Sequence, residues 1–204
     1  LRSRLIKPSC ANPVSSYVTG VKSPIKLAHV VFRTSRMPEM LAWHKQVLNA
    51  KEAFTSAEIS FLAYDDEHHR VAFIQIPNLA EQPAGQVGVH HVAFTYDNLE
   101  TLLSNYERLK ELGIEPIWPV NHGPTTSLYY GDPDGNQLEF QVDNYDTVEE
   151  AGEFFFSEAF ATNPIGVDVS PTNLRERLQS GENEEAVKKR APSGPRGVET
   201  IPIR

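Results

Sequence analysis

The sequence predicts an α+β fold in which two βαβββ modules form one open, cup-shaped barrel, followed by a C-terminal helical extension. The first observation behind this prediction is an internal repeat: a shift of 62 residues, from 29 to 91, places IKLAHVVFRT on VGVHHVAFTY. The same shift brings Val30 onto Val92 and Leu41 onto Leu103. The second observation is that each copy passes from strand-like runs to helical spacing and back. Repeated units of this kind pack together, so we expect one domain over 25–145.

The first module is expected over residues 25–79. Its apolar, β-branched runs predict strands, and Ser35 is a candidate N-cap for a helix with Pro38 in its first turn. Met40, Trp43 and Val47 recur at helical spacing. The predicted elements are a strand, a helix and two further strands, at 25–32, 35–49, 58–64 and 70–76.

The second module is expected over residues 88–144, after a linker rich in proline and glycine. Asp97 is a candidate helix cap, with Glu100 completing a capping box, and Gly113 ends the helix. The segment DPDGN has the residues of a tight turn and predicts a hairpin. The predicted elements are a strand, a helix, a short strand and two hairpin strands, at 89–95, 99–112, 115–120, 127–131 and 137–142.

Three segments flank or follow the modules. Residues 1–24 are expected to be a plain N-terminal extension; two arginines, several serines and no acidic residue near the start resemble a transit peptide only weakly. Residues 146–180 predict a helical extension, with a helix near 147–160. Residues 181–204 are charged and poor in large apolar side chains, so we expect a mobile tail or a docked, extended arm.

Composition excludes several classes of partner and site. The 204 residues carry a formal net charge of −8, which argues against nucleic acid because its binding requires a basic face. No apolar run approaches the roughly 20 residues that cross a membrane, so we expect a cytoplasmic protein. Cys10 is the single cysteine, which excludes an intramolecular disulfide framework and a cysteine-rich zinc site.

The repeat also places chemistry at matching points. His29 and His91 lie on equivalent predicted strands, each on an otherwise apolar face, and Glu139 lies in the apolar strand QLEF. A buried carboxylate is costly unless it is paired or coordinated. Two imidazoles and one carboxylate form the facial triad that holds a redox-active metal and leaves coordination positions open. We therefore expect a metal-dependent enzyme with His29, His91 and Glu139 as ligands.

A fourth protein ligand is absent from the pattern. The position that matches Glu139 in the first module is Pro77, next to Ile76, and neither side chain binds a metal. A closed structural site would use four ligands. Three ligands leave room for a bidentate substrate and a small gas molecule, which favours oxygen chemistry.

At these residues the sequence resembles the vicinal oxygen chelate superfamily, over residues 25–169. Within it, the chain is similar to the one-domain type I extradiol catechol dioxygenases, which include biphenyl-2,3-diol 1,2-dioxygenase-like enzymes. The stretches that carry the resemblance are DEHHRVAF, VGVHHVAF, HGPTTSLYYGDPDGNQLEF and ANPIGV. The resemblance implies cleavage of a catechol ring, in aromatic catabolism, with Fe(II) as cofactor, Mn(II) as a possible replacement, and O₂ as co-substrate.

The resemblance also implies roles for three further residues. His69 matches the family's acid–base histidine, Tyr129 matches the tyrosine that hydrogen-bonds the bound catecholate, and His122 resembles a histidine near the substrate hydroxyl. A small aromatic diol is the expected partner, and we expect a homo-oligomer, most simply a dimer.

Alternatives to these readings stay open. Tyr130 replaces Tyr129 if the strand register is shifted, and His69 lies in a charged turn where an exposed histidine is ordinary. The chain could be a glyoxalase, an epimerase or a thiol transferase of the same architecture. It could also be a non-enzymatic binder of aromatic compounds that needs no metal.

Overall fold

The structure is a computed structural model that describes residues 20–81, 83, 85 and 87–202. Most of the predicted N-terminal extension, including Cys10, lies outside the described residues. Within the described part of the chain, no helix has the length and apolar character needed to cross a membrane.

The first module forms a four-stranded sheet with one helix. Its elements are β1 (Val30–Thr34), α1 (Met37–Val47), β2 (Lys51–Thr55), β3 (Ile59–Ala63) and β4 (Val71–Gln75). Strand β1 pairs parallel with β4, and β3 pairs antiparallel with both β4 and β2, giving the order β1-β4-β3-β2.

Two details of this module differ from the prediction. Strand β2 was not predicted individually; all five of its residues are exposed at the sheet edge, so the sequence has no buried and exposed alternation there. Ser35 is not the helix cap: the N-cap is Arg36, whose side chain makes no capping hydrogen bond, and its backbone N–H donates instead to Thr34 Oγ1 at 2.9 Å.

The second module repeats this plan in a five-stranded sheet. Its elements are β5 (His91–Thr95), α2 (Leu99–Glu111), β6 (Trp118–Asn121), β7 (Thr125–Gly131) and β8 (Gln137–Asp143), and the sheet ends with β9 (Val167–Asp168). The strand order is β5-β8-β7-β6-β9; β5 runs parallel to β8, and the other pairs are antiparallel.

The cap of α2 is a correction to the prediction. Asn98, not Asp97, is the N-cap, and its side chain accepts a hydrogen bond from the Thr101 backbone N–H at 2.8 Å. Thr101, not Glu100, completes the capping box. Glu100 instead accepts a hydrogen bond from Arg175, a residue of the C-terminal extension.

Both helices lie on the same side of the two sheets. In each module the helix buries alternate residues of the strands, such as Phe73 beside α1 and Phe140 beside α2. Leu48 and Phe94 pack against both apolar clusters and so join the modules. The strand residues between these, including Val31 at 45% exposure, face the open side. This is the predicted α+β arrangement with a cup-shaped concave side.

The seam of the cup is formed by β1 and β5, which are not hydrogen-bonded to each other. Residues 26–30 and 92–94 line one groove of this seam, whereas 30–33 and 87–89 line another. The two strands therefore lie side by side in opposite directions, with Val30 near Val92. These two valines are also equivalent in the repeat, so an approximate twofold axis passes between them.

The C-terminal extension packs on the second module. Its helices are α3 (Val148–Phe154), α4 (Glu158–Thr162), α5 (Pro171–Gln179) and α6 (Glu184–Lys188), followed by a 3-10 turn (Val198–Thr200). The single helix expected near 147–160 is divided at Ser157, whose side chain caps α4. Within residues 181–202, expected to be mobile or docked, Val187 is 1% exposed and packs in the core with Leu174. The predicted division of the chain into segments stays a proposal.

Candidate active site

The centre of the candidate site is a carboxylate on the concave face of the second module. Glu139 is 5% exposed, and its Oε2 lies 3.0 Å from Nε2 of His91. The parallel pairing of β5 with β8 sets Ala93 beside Glu139 and Gln137 beside His91. The two side chains therefore project from neighbouring strands, two residues apart in register, towards the same side.

Two polar side chains surround the same carboxylate. Ser127 is fully buried on β7 beside Glu139, and His122 Nε2 lies 3.9 Å from Glu139 Oε1. Burial raises the pKa of Glu139, but the hydrogen bonds from His91 and Ser127, together with His122, outweigh it and hold the pKa below its usual range. Glu139 is therefore ionised at neutral pH.

His122 and Tyr129 form a hydrogen-bonded pair beside Glu139. The Nδ1–H of His122 donates to the Ile165 carbonyl, which fixes the tautomer of a neutral ring with Nε2 as acceptor. The Tyr129 hydroxyl lies 3.1 Å from that Nε2 and is also close to the Glu139 carboxylate. Burial is the main cause that lowers the pKa of His122. Tyr129 thus has two acceptors for one proton.

Tyr129 remains a proton donor at physiological pH. Its pKa is raised first by burial and then by the charge of Glu139 and its hydrogen bond to that carboxylate. Tyr130, the alternative, points to the opposite face and packs in the apolar core behind the sheet. The strand register therefore puts Tyr129, not Tyr130, on the concave side.

His29 and His69 lie together on the other side of the seam. Their ring centroids are 4.5 Å apart, and His69 also stacks on Phe61 at 4.6 Å. Burial, followed by His68 and His29, lowers the pKa of His69. A neutral imidazole at this point is a proton acceptor.

Two of the three expected ligands are in contact in this structure, and the full ligand set stays a prediction. His91 and Glu139 are in contact, but among the residues that the structure describes no three His, Cys, Asp or Glu side chains are grouped to hold one metal ion. His29 belongs to the other side of the seam: it precedes β1, whose sheet has no strand pairing with the second sheet, and its ring packs against that of His69.

Comparisons with known proteins place this geometry in a family. Residues 26–140 match the model of the glyoxalase/bleomycin resistance protein/dioxygenase superfamily, which is more than half of the chain. The chain belongs to this superfamily. The superfamily assignment agrees with the resemblance found in the repeat and its histidines.

Two relatives within the superfamily are similar over most of their length. The chain is 44% identical to biphenyl-2,3-diol 1,2-dioxygenase 2 of Rhodococcus globerulus, over 76% of this chain and 83% of the relative. It is 42% identical to biphenyl-2,3-diol 1,2-dioxygenase 3 of the same organism, over 81% and 88%. Among solved structures, lactoylglutathione lyase from Agrobacterium tumefaciens matches with a TM-score of 0.48 and 17% identity, over 59% of this chain and 96% of that one.

The donor chemistry of the site fits a divalent metal ion. Glu139 is nearly inaccessible, and its side-chain partners are imidazoles and hydroxyls, not lysine or arginine. Burial of a carboxylate is costly unless a cation is paired with it. A metal ion would supply that charge where no lysine or arginine does. The imidazole of His91 and the carboxylate of Glu139 are both suitable ligands for such an ion. A three-ligand site would need one more donor, from the other side of the seam.

Sequence reasoning missed several residues that shape this site. Ser127 orients Glu139, Trp118 stacks on Tyr129 at 4.9 Å, and Asp168 accepts a hydrogen bond from Trp118 Nε1 at 2.9 Å. The alternation of β7 could have placed Ser127 on the face of Tyr129, two residues away. No local signal connects Asp168 with Trp118, because they are 50 residues apart.

Proposed function

We propose that this protein is an extradiol ring-cleaving dioxygenase that inserts O₂ into a catechol-type substrate at a mononuclear, non-haem metal. The observation that carries the proposal is the buried Glu139 carboxylate in contact with His91 and flanked by the Tyr129–His122 pair. The identity of 44% with a biphenyl-2,3-diol 1,2-dioxygenase supports it. A catechol with ring substituents is the proposed substrate class.

The proposed metal is Fe(II), with Mn(II) as an alternative, because the ligand types do not choose sharply between the two. When bound, such an ion would acidify a catechol hydroxyl and bring the diol and O₂ to one centre. His91 and Glu139 would hold it from the second module. His29, from the first module, would complete the triad.

The protein side chains have separate proton roles in this proposal. Tyr129 stays protonated and donates a hydrogen bond to an oxygen of the bound diol. His122 keeps a lone pair on Nε2 and accepts a proton or a hydrogen bond from the second hydroxyl. His69 is neutral because of its lowered pKa and serves as the base on the side of His29.

The test of the proposal combines metal binding and oxygen uptake. Protein loaded with Fe(II) under argon is analysed for iron and then given O₂ with biphenyl-2,3-diol or 3-methylcatechol. We expect about one iron per chain and a coloured ring-cleavage product.

Two variants sharpen this test. Glu139→Gln should lose the iron and the oxygen uptake, whereas the exposed Glu149→Gln should keep both. His29→Ala should weaken iron binding if its ring completes the site. Iron that binds Glu139→Gln as well as the wild type, or loaded wild type that consumes no O₂ with either diol, would overturn the proposal.

Two predictions about partners and location accompany this function. A homodimer is the proposed assembly, to be tested by light scattering on the purified chain. A cytoplasmic location is likewise proposed from the sequence and awaits fractionation of the source cells.

A further inference from the structure

We propose that the C-terminal arm, residues 190–202, forms one wall of the catechol pocket, and that Ile201 sets which ring substituents fit there. The pocket is the space in front of His91 and Glu139, so this inference rests on the proposed function. The juxtaposition that carries it is an ordered C-terminal segment crossing the concave face beside Tyr129.

Two arginines anchor the arm beside the site. Arg190 donates to the carbonyl of His122 at 3.2 Å and to that of Asn163 at 2.8 Å. Arg196 donates to Asp168 Oδ1 at 2.7 Å and lies over the Trp118 ring at 5.7 Å. These contacts fix the start of the arm behind His122 and its middle beside the edge strand β9.

Asp168 holds the middle of the arm against the sheet through hydrogen bonds. Its Oδ1 accepts hydrogen bonds from both the Trp118 indole and the Arg196 guanidinium. Burial raises the pKa of Asp168, but these two donors outweigh it and keep the carboxylate ionised. One carboxylate therefore ties the arm to the aromatic ring that stacks on Tyr129.

The course of the arm crosses the sheet towards the candidate ligands. After Arg196 at β9, Ile201 packs against the cluster formed by Trp118, Val120, Tyr129 and Ile165. The Pro202 carbonyl then lies beside the ring of His90, the residue immediately before β5. Because β9 and β5 are opposite edges of this sheet, the arm spans its whole width.

The arm follows the row of the sheet that holds the site. Trp118 pairs with Tyr129, Tyr129 pairs with Glu139, and Glu139 pairs with Ala93, so these residues form one line across four strands. Tyr129 is only 3% exposed and Trp118 only 6%. Trp118 stacks on Tyr129 and Ile201 packs on the same cluster, so the arm flanks the space in front of Glu139 and the half-buried His91.

The arm is preorganised by its own turn. The Thr200 hydroxyl donates to the Gly197 carbonyl at 2.8 Å and accepts from Arg196 Nε at 2.9 Å. The position of Ile201 is therefore set before substrate arrives, which is what a specificity wall requires. Val198 belongs to the same turn but is 71% exposed, so it is the matched control.

The experiment compares a bulky and a small diol. The ratio of kcat/KM for biphenyl-2,3-diol to that for 3-methylcatechol is measured for Ile201→Ala and Val198→Ala. Removing the apolar branch of Ile201 should raise this ratio about 10-fold, the usual effect of a methylene-scale change in an apolar pocket. Val198→Ala should leave it unchanged, and Asp168→Asn should shift it in the direction of Ile201→Ala by releasing the arm.

Measuring diol binding without turnover tests the role of the arm separately from the dioxygenase activity. Both diols are titrated under argon, with and without iron, by quenching of Trp118 fluorescence in a Trp43→Phe background. The ratio of the two dissociation constants should change in Ile201→Ala and not in Val198→Ala. If wild type cleaves neither diol but this binding ratio responds, the dioxygenase proposal fails and the wall stands.

The results that overturn the wall are equally direct. A binding ratio in Ile201→Ala within twofold of wild type would do so, as would an equal change in Val198→Ala. Trypsin cleavage after Arg196 provides a check on folding: it should be slow in wild type and Ile201→Ala, and fast in Asp168→Asn. Fast cleavage in wild type would show that the arm is not held in place.

Discussion

Adjacent tyrosines on β7 show how one residue step changes a side chain's role. Tyr129 faces the cup and meets His122 and Glu139, whereas Tyr130 is 1% exposed in the core behind the sheet. The Tyr130 hydroxyl has no hydrogen-bond partner in the described part of the chain. The Tyr129 hydroxyl lies where it can act on a bound substrate. The buried, unpaired Tyr130 hydroxyl lowers the stability of the folded state.

The two tyrosines therefore predict opposite results for the same substitution. Tyr129→Phe should lower kcat about 100-fold, the range for a lost hydrogen-bond donor at a reacting oxygen. Tyr130→Phe should leave kcat unchanged and keep or raise stability by about 1 kcal/mol, since it removes an unpaired buried hydroxyl. Steady-state kinetics and urea unfolding of both variants check this. Equal losses of kcat would place the register of β7 in doubt.

Ser127 and Thr126 give a second matched pair at the residue scale. Ser127 lies beside Glu139 and helps to lower its pKa, whereas Thr126 points to the other face of β7 and donates to Asn144 Oδ1 at 2.8 Å. Loss of a hydrogen bond that orients a metal ligand costs 10- to 100-fold in metal affinity. Ser127→Ala should show this loss in a competitive chelator titration, and Thr126→Val should not. Equal iron affinity in both would remove Ser127 from the site.

At the scale of elements, helix α2 shows the limit of reading caps from sequence. Asp97 and Asn98 are both good capping residues and are adjacent, so composition alone does not choose between them. The structure chooses Asn98, which accepts from the Thr101 N–H, and leaves Asp97 exposed. The choice depends on where β5 ends and the chain turns, which is a tertiary property.

This choice of cap predicts a difference in stability. Asn98→Ala should lower the free energy of unfolding by about 1 kcal/mol, because a helix N–H loses its acceptor. Asp97→Ala should change it by less than about 0.5 kcal/mol, as is usual for exposed sites. Urea denaturation followed by circular dichroism measures both. A larger effect at Asp97 than at Asn98 would contradict the observed cap.

At the scale of the whole molecule, the modules are joined through α1 and the turn between β7 and β8. Arg36 Nε lies 2.8 Å from Asp134 Oδ1, and the buried His44 Nε2 lies 3.7 Å from Asp132 Oδ2. The His44 Nδ1–H donates to the Met40 carbonyl, so Nε2 is the unprotonated nitrogen of a neutral ring. A buried, neutral histidine thus stands at the junction of the two modules.

Protonation of this junction has two opposing effects. Burial lowers the pKa of His44 to about 4 from 6.5. As pH falls through this interval the unfolded chain gains a proton that the folded one refuses, so the folded state loses stability. Burial raises the pKa of Asp132 to about 6 from 3.8. The contribution of Asp132 to folded-state stability is therefore present at low pH and is lost as pH rises through 6. The effects of His44 and Asp132 on stability offset each other.

Replacing His44 should expose the effect of Asp132. We expect the stability of His44→Phe relative to wild type to rise by about 2–3 kcal/mol between pH 7 and pH 4.5, from the proton uptake that it removes. Urea unfolding at several pH values measures this difference, with the exposed and uncharged Gln46→Ala as a control that should be independent of pH. A difference that stays constant with pH would mean that His44 is not held neutral by burial.

The sequence by itself determined the repeat, the βαβββ plan of both modules and the strand faces of His91 and Glu139, whereas the choice between Tyr129 and Tyr130 needed the strand register of the structure. These features depend on local periodicity, which a sequence records directly. Strand β2 was not predicted from periodicity, because an edge strand whose residues are all exposed has no alternation of buried and exposed positions. The equivalent strand positions of His29 and His91 were therefore predictable, but the distance between their rings was not.

Only the tertiary structure decided how the two modules meet and what covers the cup. The seam between β1 and β5 lacks hydrogen bonds, so the placement of His29 relative to Glu139 depends on packing between sheets rather than on register. The course of the C-terminal arm depends on contacts such as Arg196 with Asp168, between residues whose pairing leaves no periodic trace in the chain. Local patterns fix which face a side chain takes, whereas long-range contacts fix which faces meet.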